Sequence, residues 1–324
     1  HGAQLTFQVL VQGLEGGGWF HADPENPESV TSSEPADAPA LPTIQVGPHR
    51  LTRLVAGWNP IGGYSYLGPH LNRHMQEYYT PENIADYLRR CERAGINAHQ
   101  FSYTAKGQSA EIIGKARERG CRMKVFSLAR NPDEVRPVVE ATQPIALVHH
   151  GGVTDRRFAE GQSELVHDFV KAVHDQGLLA GVSAHNPECI QRVADAGWDV
   201  DFFMTCFYFL TRKMFHKEGE PKPEPDTLYF SYPFYKDDPA KMTDVVREVD
   251  QPCLGFKILA AGRKCKSQGT VRDAIRYAFE NIKASDGVIV GMFPWCFDEI
   301  GANAGYAREY GGRTGKVPSG AVSG

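Results

Sequence analysis

The stretch Pro144-Ile-Ala-Leu-Val-His-His-Gly-Gly-Val-Thr-Asp155 decides the fold. Its apolar run shows no polar alternation, which reads as a strand covered on both faces, as in a parallel sheet wrapped by helices. Two histidines and two glycines then close it, so imidazoles stand at the carboxyl end of the strand. That end is where barrel and open α/β folds put their chemistry, because loops converge there while the opposite rim holds the fold together.

On either side of this stretch, strand and helix signals alternate. Upstream lie strands at Leu51–Gly57, Ile96–Ser102 and Met123–Leu128. Between the first two runs a polar and aromatic loop, Trp58–Tyr79, and then a helix capped by Thr80-Pro81. That helix carries Ile84, Tyr87, Leu88 and Cys91 on one face and is closed by Gly95. A helix from Glu111 to Arg119 follows the second strand, and Asn131-Pro132 opens the next. Downstream, Leu165, Val166, Phe169, Val170 and Val173 mark one apolar face. The remaining strands are Leu178–Ser183, Phe202–Phe209, Cys253–Leu259 and Val288–Gly291, with helices between them. Eight strands with intervening helices predict a (β/α)8 TIM barrel over residues 41–310. An N-terminal arm and linker, residues 1–40, precedes it, because Ala22–Pro42 is too rich in Pro, Glu, Ser, Ala and Asp to bury much apolar surface. A flexible tail, residues 311–324, follows. The loop after strand six, Thr211–Lys236, is long enough to read as a functional lid.

Composition excludes several classes. A net charge of -4, with Lys and Arg spread along the chain, gives no basic patch for nucleic acid. No apolar run approaches membrane-spanning length. Seven dispersed cysteines form no C-x-x-C pair and no zinc spacing, so they read as buried thiols. The chain begins at His1, consistent with a leader or tag already removed, so the expectation is a soluble protein, cytoplasmic or exported.

Seven segments in order resemble the aldo-keto reductase family. They are Ile44-Gln-Val-Gly-Pro-His-Arg-Leu-Thr-Arg-Leu-Val-Ala-Gly-Trp58, Gly95-Ile-Asn97, Leu147-Val-His-His150, Gly181-Val-Ser-Ala184, Asp201–Arg212, Phe256–Gly262 and Val288–Gly291. The resemblance implies a reductase that uses a Tyr acid, a Lys, an Asp and a His. His149 matches the histidine. The Asp position is Gln100, the Tyr position falls at or near Ala105 with Tyr103 two residues away, and the Lys position is Ala129 with Arg130 beside it. Of the family's contacts to the nicotinamide amide, Ser183 is kept, while Ala184 and Met204 replace the others. Met292-Phe-Pro-Trp295 offers no cation to an adenosine phosphate, although Arg263 stands near. NAD(P)H is therefore the less favoured cofactor, and fold alone does not license the reaction.

The histidines suggest other chemistry. His99, His149, His150 and His185 all lie at predicted strand ends, and His74 is on the first loop of the same rim. Converging with a carboxylate, imidazoles hold zinc, iron, manganese or nickel. The ligand set expected is His149, His185, His99 and Asp155, with Glu77 and Glu188 as further carboxylates. Successive strand residues face opposite ways, so if His149 keeps the family's inward orientation, His150 points outward. Lys257 is a candidate amine for proton or Schiff-base chemistry. Trp58, Asn59, Asn186, Tyr208 and Trp295 are candidate contacts for a small polar, carbohydrate-like substrate.

The leading expectation is an acid/base enzyme of isomerase, lyase or hydrolase type. His149 and His185 are its proton carriers or ligands, Gln100 and Asn59 orient the substrate, and Asp155 supports a histidine. One alternative is an NAD(P)H-dependent reductase using Tyr103 and His149. The other is a non-catalytic ligand-binding or sensor domain.

Overall fold

The computed structural model describes residues 39–103, 108–215 and 233–312. Residues 1–38 of the expected arm, the tail beyond residue 312, Ala105 and most of the loop after strand six lie outside these residues. Two short strands, β1 (Thr43–Val46) and β2 (His49–Thr52), form an antiparallel hairpin. Eight parallel strands then close a barrel: β3 (Leu54–Ala56), β4 (Ala98–Ser102), β5 (Lys124–Ala129), β6 (Ala146–His149), β7 (Leu179–Ala184), β8 (Phe202–Cys206), β9 (Cys253–Phe256) and β10 (Gly287–Val290). Strand β10 pairs with both β9 and β3, which closes the ring and removes every edge. This is the (β/α)8 barrel.

Ten α-helices accompany the strands among the described residues: α1 (Pro69–Tyr78), α2 (Pro81–Arg93), α3 (Gln108–Glu118), α4 (Val135–Thr142), α5 (Gly151–Ala159), α6 (Glu164–His174), α7 (Pro187–Asp195), α8 (Asp238–Glu248), α9 (Gln268–Asn281) and α10 (Glu299–Tyr310). No helix among the described residues is long and apolar enough to cross a membrane.

Two cores follow from the alternation of strand residues. Val55, Ala98, Phe126, Ala146, Val148, Phe202, Met204, Leu254 and Ile289 fill the barrel, and Ile44, Val46 and Leu51 of the hairpin join them. Leu54, Leu147, Val182, Phe203 and Val288 point the other way, into the larger layer under the helices. A strand buried on both faces needs apolar residues at every position, which is why these segments show no polar alternation.

Several expected elements are corrected. Leu51–Gly57 is not one strand but the end of β2 and all of β3, broken at Arg53. That side chain is buried and donates to the carbonyls of Asp286, Lys283 and Gly311. Strand β9 stops at Phe256 because Lys257 takes a left-handed backbone, φ 58°. The stretch Trp58–Tyr79 contains helix α1, concealed because it buries only Met75. Helix α5 begins at a Gly pair, a poor helix start by propensity, and was not expected. Helix α10 is built largely of small residues that give little apolar periodicity.

The Arg53 contacts generate a prediction. Arg53→Ala strips donors from three buried backbone carbonyls and is expected to lower unfolding free energy by about 3 kcal/mol. Urea denaturation followed by circular dichroism measures this, and an unchanged midpoint would show that the three bonds add nothing net.

Candidate active site

At the carboxyl ends of the strands lies a cavity of about 600 Å³, within the range of small-molecule sites. His150, Gly151, Ser183, His185, Gln100 and Lys257 are on its wall, together with Trp58, Asn59, Tyr103 and Glu299. The site is set first by the register of β6. Ala146 and Val148 face the barrel interior, so Leu147 and His149 face the helices. The expected orientation is therefore reversed: His150 reaches the cavity and His149 does not. His149 Nδ1 stands 2.7 Å from Thr154 Oγ1, and its ring packs edge-on against Phe169 of α6. His99 on β4 likewise faces outward, with Nδ1 2.9 Å from the Ala56 carbonyl.

Asp155 is the organising acid. It sits on α5 with no exposed surface. Its Oδ1 accepts from the Asn186 N–H at 3.2 Å and its Oδ2 from the His185 N–H at 3.0 Å. Thr211 Oγ1 donates to Oδ2 at 2.8 Å, and His185 Nδ1 lies 2.9 Å from the same oxygen. These donors supply the hydrogen bonds that a buried carboxylate requires. Since Asp155 takes the Nδ1–H, the Nε2 lone pair of His185 is left for the cavity. Burial lowers the proton affinity of His185, against the pull of Asp155. The imidazole is therefore neutral and able to accept a proton. Close packing completes the arrangement. A Cβ at Gly151 would lie 2.9 Å from Ser183 Oγ and 3.2 Å from His185 Cε1, so glycine lets α5 start against this ring.

His150 is the second imidazole on the wall, with Nδ1 buried and without a hydrogen-bond partner among the described residues. Burial, followed by the charges of His185, Arg130 and Lys257, pushes it down to about 4. Lys257 directs its ammonium over the rings of Phe256 and Tyr66, at 4.8 and 4.9 Å from the centroids. Its left-handed backbone costs about 1 kcal/mol, a local strain of the kind that collects at functional sites. Gln100 faces inward and spends its amide N–H on the Phe101 carbonyl at 2.9 Å.

The remaining expected residues divide. Trp58, Asn59, Tyr103 and Ser183 line the cavity. Asn186 does not: it caps α7 through Glu188 N at 3.0 Å and supports Asp155. Tyr208 is buried against Phe234. Trp295 is half exposed and packs edge-on against His74, outside the cavity wall. The four-ligand metal set does not assemble, because His99 and His149 point away from the His185–Asp155 pair. No group of three or more His, Cys, Asp or Glu among the described residues is placed to hold a metal ion. Glu77 and Glu188 are exposed on the surface. Two cavity groups, His150 and Glu299, were missed as site residues. The strand period would have found His150 once Val148 was placed inside; Glu299 follows an irregular loop and carried no signal.

The described residues also fit a nicotinamide dinucleotide poorly. Of the three amide positions only Ser183 offers a polar group, since Met204 fills the barrel and Ala184 faces the helices. Arg263 stacks on Phe234 at 4.0 Å and donates to the carbonyls of Tyr66 and Ala260, rather than standing ready for a phosphate.

No family model matches the chain, and no curated protein does. Solved structures do. A protein assigned as an aldo-keto reductase from Pseudomonas aeruginosa superposes with TM-score 0.57 at 16% identity, covering 86% of this chain and 99% of that one. An aldo-keto reductase from Bacillus halodurans gives 0.53 at 11% identity, covering 86% and 93%. A truncated 3-deoxy-D-arabino-heptulosonate 7-phosphate synthase from Thermotoga maritima gives 0.51 at 14% identity, covering 84% and 91%. The chain thus has a TIM-barrel architecture similar to that of the aldo-keto reductases, shared at these identities with an enzyme of different chemistry.

The buried imidazoles set a pH prediction. Burial holds His149 down to about 3 and His99 and His150 down to about 4. The unfolded chain takes up these protons near pH 6.5, so it binds more protons than the folded chain in the interval below. Stability is then fully present above about pH 6.5 and is lost as pH falls towards 4. Denaturant midpoints across that interval should decline, and His149→Leu should flatten the decline.

Proposed function

We propose that this barrel is an enzyme of general acid–base type, moving a proton on a small polar, carbohydrate-like substrate in an isomerase or lyase reaction. The observation that carries this reading is the pairing of buried Asp155 with half-buried His185: a carboxylate holds Nδ1–H, and the opposite nitrogen is left to a cavity. The same device fixes tautomer and orientation of the general base in catalytic triads. His185 Nε2 is the base, Asp155 positions it, and His150 is a second neutral imidazole on the same wall. Gln100, Asn59 and the Lys257 ammonium suit the hydroxyl and carbonyl oxygens of a polyol, and Trp58 supplies an apolar face for a sugar ring. A reaction class is favoured by the chemistry of these groups: a neutral imidazole base takes a proton from carbon beside a carbonyl, leaving an enolate whose charge a nearby ammonium stabilises.

This reading needs neither metal nor nicotinamide. The described residues supply no third metal ligand beside His185 and Asp155, and of the three nicotinamide amide contacts only Ser183 is polar.

Solvent exchange tests it whatever the final product. Incubated in D2O with a panel of aldoses, ketoses and 2-keto acids, the protein should catalyse exchange of a carbon-bound hydrogen in at least one of them, seen by proton NMR. His185→Ala should slow that exchange about 100-fold or more, the scale of a lost general base. His149→Leu should leave it near the wild-type rate, because that ring faces the helices. No exchange in any panel member, or exchange indifferent to His185→Ala, would sink the assignment.

A further inference from the structure

Across the cavity from the histidine strands, on the side of β10 and α1, the wall contains a carboxyl group that the proton transfer to His185 does not use. Glu299, the first residue of α10, lines the cavity beside Phe293, Met75 and Cys265. Its Oε2 accepts the Phe293 N–H at 2.7 Å, which fixes the group. The groups facing it are themselves engaged or neutral. From the end of α1, Tyr79 donates its hydroxyl to the Met292 carbonyl, and Tyr78 lies 3.5 Å from the Pro294 carbonyl. From α2 come the buried Tyr87 and Arg90, whose guanidinium pairs with Asp298 at 3.2 Å. Cys265 faces it from the loop after β9. No cation pairs with Glu299 in a salt bridge among the described residues.

We propose that Glu299 is a second proton-bearing group of the cavity, a carboxylic acid anchored through Oε2 on the Phe293 N–H that donates from its other oxygen to a carbonyl or hydroxyl oxygen of the ligand. Burial supports this: it lifts Glu299 to about 7 against the single backbone bond that lowers it. A carboxyl that stays about half protonated near pH 7 offers a hydrogen-bond donor, as carboxyl groups in apolar surroundings do in other acid–base sites. Resting on the proposed function, its place in the reaction is defined. His185 Nε2 takes the carbon-bound proton, the electron pair of that C–H bond becomes the C=C bond of an enol, and the former carbonyl oxygen takes the Glu299 proton. Imidazolium and carboxylate remain, and both return to their starting states when the proton steps reverse at the neighbouring carbon or exchange with water.

A hydrophobic carbodiimide is a probe that needs no substrate, because it condenses with protonated carboxyl groups and leaves a stable N-acylurea. Treated with dicyclohexylcarbodiimide near neutral pH and mapped by peptide mass spectrometry, the full chain should carry the adduct at Glu299. The rate should fall about tenfold for each pH unit above about 7, as the protonated fraction does. Glu299→Gln, which keeps an oxygen for the Phe293 N–H, should remove that adduct without lowering the melting temperature. His185→Ala should label at the wild-type rate, so a wild-type chain that labels at Glu299 but exchanges no carbon-bound hydrogen refutes the proposed function alone. No adduct at Glu299, or a rate that does not fall with pH, overturns this inference. Where an exchanging substrate is found, Glu299→Gln should lower kcat about 100-fold with KM little changed and abolish the loss of activity above pH 7. An unchanged kcat overturns the inference equally.

Discussion

A carboxylate with no exposed surface lies at the junction of three segments, and the rest of the site depends on it. Asp155 belongs to α5, its backbone donors come from the end of β7, and its hydroxyl donor comes from Thr211 beyond β8. Left unpaired in this position the charge would cost several kcal/mol. The donors therefore have to be present together, and their convergence ties three consecutive strand ends into one rim. His185 is the side chain that gains from this, since the acid fixes which of its nitrogens carries hydrogen. A positioned imidazole is a by-product of satisfying a buried charge.

The cavity above the barrel is asymmetric in consequence. On the side of β6, β7 and β9 stand neutral imidazoles and an ammonium; on the side of β10 stands a half-buried carboxyl beside Phe293. Both sides are tuned by the same cause. Desolvation lowers the histidines and raises the glutamate, so burial pushes each towards its uncharged form. Groups pushed towards their uncharged forms in this way suit proton transfer. The architecture is similar to that of the reductases at low identity, and architecture alone does not assign a reaction.

Much of the architecture was legible because barrel strands must be apolar on both faces. Runs such as Ile145–Val148 and Phe202–Met204 admit few other readings, and the helix stripes of α2, α6 and α9 could be read at 3.6-residue spacing. What escaped was structure whose signal is not apolar periodicity. Helix α1 buries one residue, α5 starts on two glycines, and β9 ends where a lysine adopts a glycine-like backbone.

The site was legible in its residue types and not in its geometry. Strand limits are written in hydrophobicity, so the chain alone placed His149, His150 and His185, with Lys257 and several amides, near strand ends; His99 is instead the second residue of β4, and Asp155 lies inside α5. That His150 and His185 face the cavity while His99 and His149 face the helices was set by folding. A one-residue change of register inverts every side chain of a strand, and register is fixed by pairing with strands distant in the chain. Convergence was decided there too: His185 meets Asp155 thirty residues away, and Glu299 reaches the same cavity from beyond the last strand. Such meetings depend on barrel closure, a property of all eight strands together that no local stretch encodes.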